Sequence, residues 1–390
     1  MHKLTSVSLF FLATGLLTSV TILSAYQILF SLSLIFYCYR AYQEKDLKLP
    51  KSSYWLLAFT MIALLSTGLN FDVIPKPSKN FGRLKYFIFG FGGIFVFKYW
   101  LKEATDKTKK FLTHSFLVSV IIAGVYSTYT YFTNGEGRAR GFTDTLRYGY
   151  GSGMLLLTLL SAILHREKLK SWFNPLLGTL AFVVGFTALY FTFTRGALLG
   201  FMCGLPFVLY YYKPKLGLTL GGLAVLGVLG LVSIYLFGSG NYNSRFLVSK
   251  NNPSDHIRRS QWKAAVIAIS EKPISGWGLS NFHSQLDRIK KENDLDAKFY
   301  NDAHAHNLFL EIGAGTGLIG LFLFLGWVLS WGWEVFRDGK LIRALVLPFG
   351  VAFIVSSQFE VTFDANNASM IFFIYAISSC FSMDALRQNE

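Results

Sequence analysis

Long runs without a charged side chain recur along this sequence, and they constrain it more than any motif does. Residues 4–39 hold no Asp, Glu, Lys or Arg, which is room for two short helices with a tight turn near Ser19 to Thr21. An α-helix satisfies its own backbone hydrogen bonds and crosses a bilayer core in about 20 residues. Further runs of that kind fall at 53–71, 83–101, 111–132, 148–165, 173–193, 196–212, 216–237, 306–335, 341–359 and 367–383. The expected fold is an all-α polytopic membrane protein with about twelve transmembrane helices. Composition agrees, with 15% charged and 52% hydrophobic residues and a mean hydropathy of +0.41. A soluble domain carries about 25% charged residues. The opening run extends far past the apolar core of a signal peptide, so it reads as a retained first span.

The formal net charge is +15, and the position of those charges sets orientation. Lys3, Arg40, Lys45, Lys48, Lys51, Lys102, Lys107, Lys109, Lys110, Arg166, Lys168, Lys170, Lys213, Lys215, Arg337, Lys340, Arg343 and Arg387 fall on one side of the layout. Lys76, Lys79, Arg83, Lys85, Arg138, Arg140, Arg147 and Arg195 fall in short connections on the other. The richer side is cytoplasmic by the positive-inside rule, so both termini are expected inside. The long connection 238–305 is then external. It divides the chain into helices 1–9 (1–237), a periplasmic loop domain (238–305), and helices 10–12 with a cytoplasmic tail (306–390). Pro253, with Asn252 as cap, is expected to open a loop helix whose apolar face carries Trp262, Ala265, Val266 and Ile269 with Arg258. Pro273 and the glycines of Ile274-Ser275-Gly276-Trp277-Gly278 break it, and a second polar helix is expected over 283–293. The loop therefore reads as a small helical cap folded over a site at the membrane surface.

Three places on that external side could carry chemistry. Arg195, in Thr192-Phe193-Thr194-Arg195-Gly196-Ala197, sits between two apolar helices with almost no connecting loop. A guanidinium held there is a good anion clamp; a snorkelling interfacial arginine is the bland alternative. Arg258 and Arg259 stand near the start of the loop helix, where the alternative is a basic helix resting on anionic headgroups. Asp302-Ala303-His304-Ala305-His306-Asn307 opens the 306–335 helix. A neutral histidine there can act as general base, or serve only as a cap or interface residue. Together, two cations beside a base would suit a lipid-linked diphosphate and an acceptor hydroxyl.

What is missing narrows the choice. There is no Walker A motif, so cytoplasmic ATP is not expected to drive the reaction, and no cofactor is expected. Cys38, Cys203 and Cys380 lie in apolar runs without a Cys-x-x-Cys or Cys/His cluster, so neither a disulfide framework nor a zinc site is expected. His304-x-His306 alone is weak evidence for a metal. The basic excess is accounted for by topology and an anionic external ligand, not by nucleic acid.

The motifs in combination resemble the O-antigen ligase and polymerase superfamily of bacterial inner-membrane proteins. They are Thr194-Arg195-Gly196-Ala197; Arg258 four residues before Trp262, with Lys272-Pro273-Ile274-Ser275-Gly276-Trp277-Gly278 and Asn281-Phe282; and His306-Asn307, nine residues, then Gly317-Leu318-Ile319-Gly320-Leu321. The last run fits the ligase pattern of His, a small polar residue, nine residues and Gly-x-x-Gly. The resemblance implies a metal-independent, inverting glycosyltransferase of the GT-C type. It would move O-antigen polysaccharide from undecaprenyl diphosphate to a sugar hydroxyl of lipid A-core on the periplasmic face. By position, Arg195 and Arg258, with Arg259 adjacent, would bind the diphosphate, and His306 would be the base, with His304 its neighbour. Arg138, Arg140 and Arg147 would hold phosphates of the acceptor core, with Asn307 in support. An O-antigen polymerase and a protein O-oligosaccharyltransferase share the donor chemistry. A lipid-linked sugar flippase would instead line a transmembrane path with charges, and few charges, such as Lys98, Glu311 and Glu334, lie within the spans.

The charge asymmetry makes a direct prediction about topology. Reporter fusions at both termini are expected to give cytoplasmic signals, and a fusion near residue 290 a periplasmic alkaline-phosphatase signal. A cytoplasmic signal near 290 would reject the orientation.

Overall fold

The computed structural model describes residues 1–135, 137–169, 172–219, 253–295, 304–363 and 365–387. Regular structure among these is helical throughout. The opening apolar run forms α1 (His2–Gly15) and α2 (Val20–Gln43), and Ser19 caps α2 by accepting from the Ile22 N–H at 3.3 Å. Then follow α3 (Lys51–Leu69), the single-turn α4 (Pro77–Phe81), α5 (Leu84–Glu103), α6 (Asp106–Thr133), α7 (Thr145–Leu164), α8 (Pro175–Phe191) and α9 (Arg195–Tyr212). The chain continues with α10 (Pro253–Glu271), α11 (Phe282–Glu292), α12 (Leu308–Arg337), α13 (Lys340–Ser356) and α14 (Ala365–Arg387). Side-chain caps recur at the starts. Thr105, Asp144 and Asn174 accept from the first turns of α6, α7 and α8, and Pro175 occupies the first position of α8.

Each expected span except 216–237 coincides with one of these helices; most of that span, and Asn252, lie outside the described residues. By length and composition, Val20–Gln43, Lys51–Leu69, Pro77–Glu103, Asp106–Thr133 and Leu308–Arg337 are long and apolar enough to cross a membrane. Pro175–Phe191 and Asn366–Phe381 are apolar but shorter. The helices pack in a bundle with α3 on α12, α9 on α13, α6 on α8 and α5 on α14, while α7 contacts α8, α9 and α13. Aromatic rings fill its centre: Trp327 stacks on Phe372 at 5.3 Å and on Trp331 at 6.0 Å, and Phe324 meets Phe363 at 5.6 Å.

Three charges in or beside the apolar helices are bonded to groups on a neighbouring segment. Lys98 bonds Asp46 at 2.6 Å, and Glu334 accepts from the Ser52 N–H at 2.8 Å at the start of α3. Arg40 pairs with Glu103. All three join ends read as cytoplasmic. Arg83 with Ser280, Ala139 with Phe191 and Leu308 with Ser357 join ends read as external.

The cap is fastened to a break in α12. Gly317 has φ 72° and ψ −178°, so the helix is interrupted there. The Pro273–Gly278 turn fits into the break: the Leu318 N–H donates to Pro273 O at 2.7 Å, Trp277 N–H to Ala314 O at 2.9 Å and Gly278 N–H to Gly315 O at 2.8 Å. A Cβ at Gly317 would collide with Ile274 O, and one at Gly276 with Gly315 O. The glycines of two sequence motifs are thus required by one close approach of backbones. From the bundle side, Ser66 donates to Gly315 O at 2.7 Å, Asn70 to Gly276 O at 3.1 Å and Asn80 to Leu279 O at 2.7 Å. The expectation for the inner face of α10 needs correction. Ala264, Ala265 and Ala268 are buried, whereas Val266 is 55% exposed. The small side chains turn inward where α10 packs on α12, with Ile269 set against Gly313.

Replacing Gly317 with Ala is expected to cost about 1–3 kcal/mol for the left-handed φ, with a further loss from the clash with Ile274 O. Thermal melting of the purified protein in detergent reads this. An unchanged midpoint would mean that the break does not fasten the cap.

Candidate active site

The first turn of α12 and the segment 357–363 are held together by backbone, and this builds the site. Asn307 caps α12, accepting from the Phe309 and Leu310 N–H groups at 3.0 and 3.1 Å, and its amide reaches Gln358 O at 3.3 Å. The Leu308 N–H donates to Ser357 O at 2.8 Å. His306, just before the cap, has φ 47°, a left-handed conformation uncommon outside glycine. Its Nδ1 lies 3.0 Å from Glu360 Oε2, and His304 Nδ1 lies 3.4 Å from Glu360 Oε1. The two imidazoles are edge-to-face at 4.3 Å. Glu360 is buried, and burial alone would raise its pKa. The His306 hydrogen bond, the positive charge that both imidazoles can carry and the Val361 N–H outweigh this, holding the carboxyl below the usual range.

A cavity of about 590 Å³ opens beside this cluster, lined by Lys79, Arg83, Arg140, Asp144, Arg147, Tyr150, His283, His304, Glu311 and Glu360 among others. Burial is the main cause that holds His283 below the ordinary imidazole range; Lys79 and Arg83 add to it, against a hydrogen bond with Ser280 backbone. Glu311 accepts from the Ala305 N–H at 3.0 Å, bracing the turn that carries both histidines. His304 faces the cavity, with its side chain 36% exposed, while His306 is set back at 12%.

The sequence-derived arginines separate into two groups. Arg138 donates from Nε to Thr192 O at 2.9 Å and from NH2 to Thr194 Oγ1 at 3.3 Å, so it ties its loop to the turn before Arg195. Tyr150 lies against Gly196, and its hydroxyl is within electrostatic reach of Glu360, Arg258, Arg138 and Arg195. Arg140 and Arg147 instead line the cavity, Arg147 paired with Asp144 at 3.0 Å. Arg138 thus reaches the turn before Arg195, whereas Arg140 and Arg147 face the cavity. Arg259 is exposed beside Arg258, which is partly buried. Asp302 and Ala303 lie outside the described residues.

Residues 180–325 match the family model described as O-antigen ligase. Over that segment, a little over a third of the chain, the sequence is similar to the O-antigen ligase family. The segment spans Arg195, Arg258 and His306 and ends before Glu360, which the sequence reading also missed. A protein of Haemophilus influenzae, described only as uncharacterized, is 26% identical over 289 residues, or 69% of this chain and 72% of that protein. The candidate site residues lie at both ends of the matched segment and, with Glu360, outside it. The available signal for Glu360 was an acid at the margin of an apolar span, where an unpaired carboxylate is costly.

His304, His306 and Glu360 also offer three ligand atoms within 4.8 Å of one another, a grouping that could hold a metal. An Asp-x-Asp pair does occur, at Asp294 and Asp296. Asp294 is exposed after α11, and Asp296 lies outside the described residues. Cys38 and Cys203 are half-buried and Cys380 is buried; all three are free thiols on separate helices.

The geometry gives Asn307 a structural part. Asn307→Ala is expected to destabilise by about 0.5–2 kcal/mol through the lost cap, and Asn307→Ser, which keeps an acceptor, by less. Equal melting midpoints for the two variants would contradict the capping role.

Proposed function

We propose that this chain is an O-antigen ligase. It transfers O-antigen polysaccharide from undecaprenyl diphosphate to a sugar hydroxyl of lipid A-core at the periplasmic face of the bacterial inner membrane. The observation that carries this reading is the convergence of Arg138, Arg195 and Arg258 around Tyr150, beside the carboxylate bonded to His306. Guanidiniums at one end of an apolar bundle suit an anion delivered by a lipid, and a base close to them suits transfer to a hydroxyl.

The mechanism follows from these roles. Arg195 and Arg258 bind the diphosphate, with Arg259 at the rim, and stabilise the charge that grows as the anomeric carbon–oxygen bond breaks. Fixed cations in a water-poor site are well suited to that task. His306 accepts the proton of the acceptor hydroxyl as its oxygen attacks the opposite face of the anomeric carbon, which inverts the configuration. The cavity with Lys79, Arg83, Arg140 and Arg147 receives the acceptor, whose phosphates those cations would meet. Residues 253–295 of the external loop act as a cap over the site on the periplasmic side.

His306→Ala is expected to lower transfer by about 10²–10⁴-fold, the range for loss of a general base. Lipopolysaccharide from the variant strain would then show unsubstituted core, with long polymer retained on the lipid carrier. Short, unpolymerised units on the carrier would indicate a polymerase instead, and an unaffected profile would remove His306 from the chemistry.

A further inference from the structure

Glu360 lies beyond the matched family segment and in none of the sequence motifs, yet the local structure is arranged around it. Its carboxylate is buried, with a side chain 8% exposed, and a buried carboxylate is costly unless bonded. One oxygen faces His306 Nδ1 at 3.0 Å; the other accepts from the Val361 N–H at 2.9 Å and lies 3.4 Å from His304 Nδ1. Backbone bonds from Leu308 to Ser357 and from Asn307 to Gln358 fix the separation of the two segments. The left-handed φ of His306 turns its ring toward that carboxylate at a conformational cost.

We propose that Glu360 is the positioning residue of the site: it accepts the Nδ1–H of His306 and thereby makes Nε2 the nitrogen that takes the acceptor proton. This rests on His306 being the base. In the transfer step the acceptor O–H proton passes to Nε2, the oxygen bonds to the anomeric carbon, and the electron pair of the breaking bond leaves with the diphosphate. The imidazolium so formed is paired with Glu360 until it returns its proton to water. A carboxylate in this place both selects the tautomer and stabilises the charged ring.

A divalent metal held by His304, His306 and Glu360 is the competing use of the same atoms. The geometry favours the hydrogen-bonded arrangement, because the His306 backbone N–H donates to His304 Nδ1 at 3.3 Å and so engages the lone pair that a metal bound through that nitrogen would need. The other charged groups around the pair are His304 and Glu311 on its own turn, Arg83 across the cavity, and Arg138, Arg195 and Arg258 around Tyr150. All of them remain in a Glu360 variant.

The test compares the full-length parent, Glu360→Gln, Glu360→Asp and His306→Ala in lipid nanodiscs, with an undecaprenyl-diphosphate-linked glycan and lipid A-core. Glu360→Gln is expected to lower kcat by about 10–100-fold, as loss of an orienting partner does, with the donor KM unchanged. The acid limb of its pH–rate profile should move to lower pH, because removing the anion lets His306 lose its proton more readily. Glu360→Asp should restore part of the rate and the parent limb. A Glu360→Gln enzyme with the parent's kcat and acid limb overturns the proposal. So does loss of activity on chelation with recovery on adding zinc, which would indicate the metal site. Histidine nitrogen-15 spectra of the unmutated protein, assigned with His306→Gln, need no Glu360 variant to fold. Neutral His306 is expected to carry its proton on Nδ1, and a proton on Nε2 overturns the proposal. Should His306→Ala remain active, the base reading fails; should it be dead while Glu360→Gln matches the parent, only the role of Glu360 fails.

Discussion

The break in α12 at Gly317 is the constraint on which the rest of the site depends. An interrupted helix in a membrane leaves backbone groups that water cannot reach, and each costs several kcal/mol if unsatisfied. Here the Pro273–Gly278 turn supplies the partners, giving Pro273 O to the Leu318 N–H and taking Ala314 O and Gly315 O in return. Ser66, Asn70 and Asn80 complete the junction from the bundle. The cap is therefore keyed to one position along α12. The same junction orients the stretch of α12 before the break, which carries Glu311 in its first turn and is preceded by its cap Asn307 and by His306.

Given that frame, charge decides what the end of the bundle can do. Cations outnumber carboxylates around the cavity, with Lys79, Arg83, Arg140 and Arg147 facing Asp144, Glu311 and Glu360. The carboxylates are committed to local tasks: Asp144 holds Arg147, Glu311 braces Ala305, and Glu360 bonds the imidazoles. Their negative charge is thus spent inside the site, and the surplus field seen by an incoming ligand is positive. A positive, partly desolvated concavity attracts anions and holds them more strongly than a solvated patch would.

The sequence made the helices legible because the bilayer requirement is one of length and apolarity, which a run such as 4–39 displays directly. It also made the break at Pro273 and Gly276 legible, whereas the one at Gly317 lies inside 306–335, which reads as a single span. It did not reveal that these breaks meet each other, since their partnership is a contact across 44 residues between Pro273 and Leu318. The same limit separated Arg138 from Arg140 and Arg147. Loop proximity grouped the three, whereas the reach of Arg138 to Thr192 and Thr194 is set by the packing of α6 on α8. Glu360 escaped notice because nothing local marks a carboxylate at the end of a span as buried; the start of α12 lies beside the end of α13, and Glu360 sits in the segment that follows it.

Two histidines on one carboxylate pose the question of which is the base, and their surroundings treat them differently. His304 receives a backbone N–H on Nδ1, which fixes that nitrogen as an acceptor whenever the ring is neutral. Its proton then sits on Nε2, and neutral His304 cannot also donate to Glu360 through Nδ1. His306 has the opposite arrangement, with Nδ1 against the carboxylate at the shorter distance. In the proposed assignment His306, and not His304, presents an Nδ1–H to the carboxylate and leaves Nε2 as the accepting nitrogen. That combination accepts a proton without rearranging its partners, because the charge it gains arises next to a carboxylate already in place. His304, more exposed and facing the cavity, is better suited to meeting the ligand than to taking its proton.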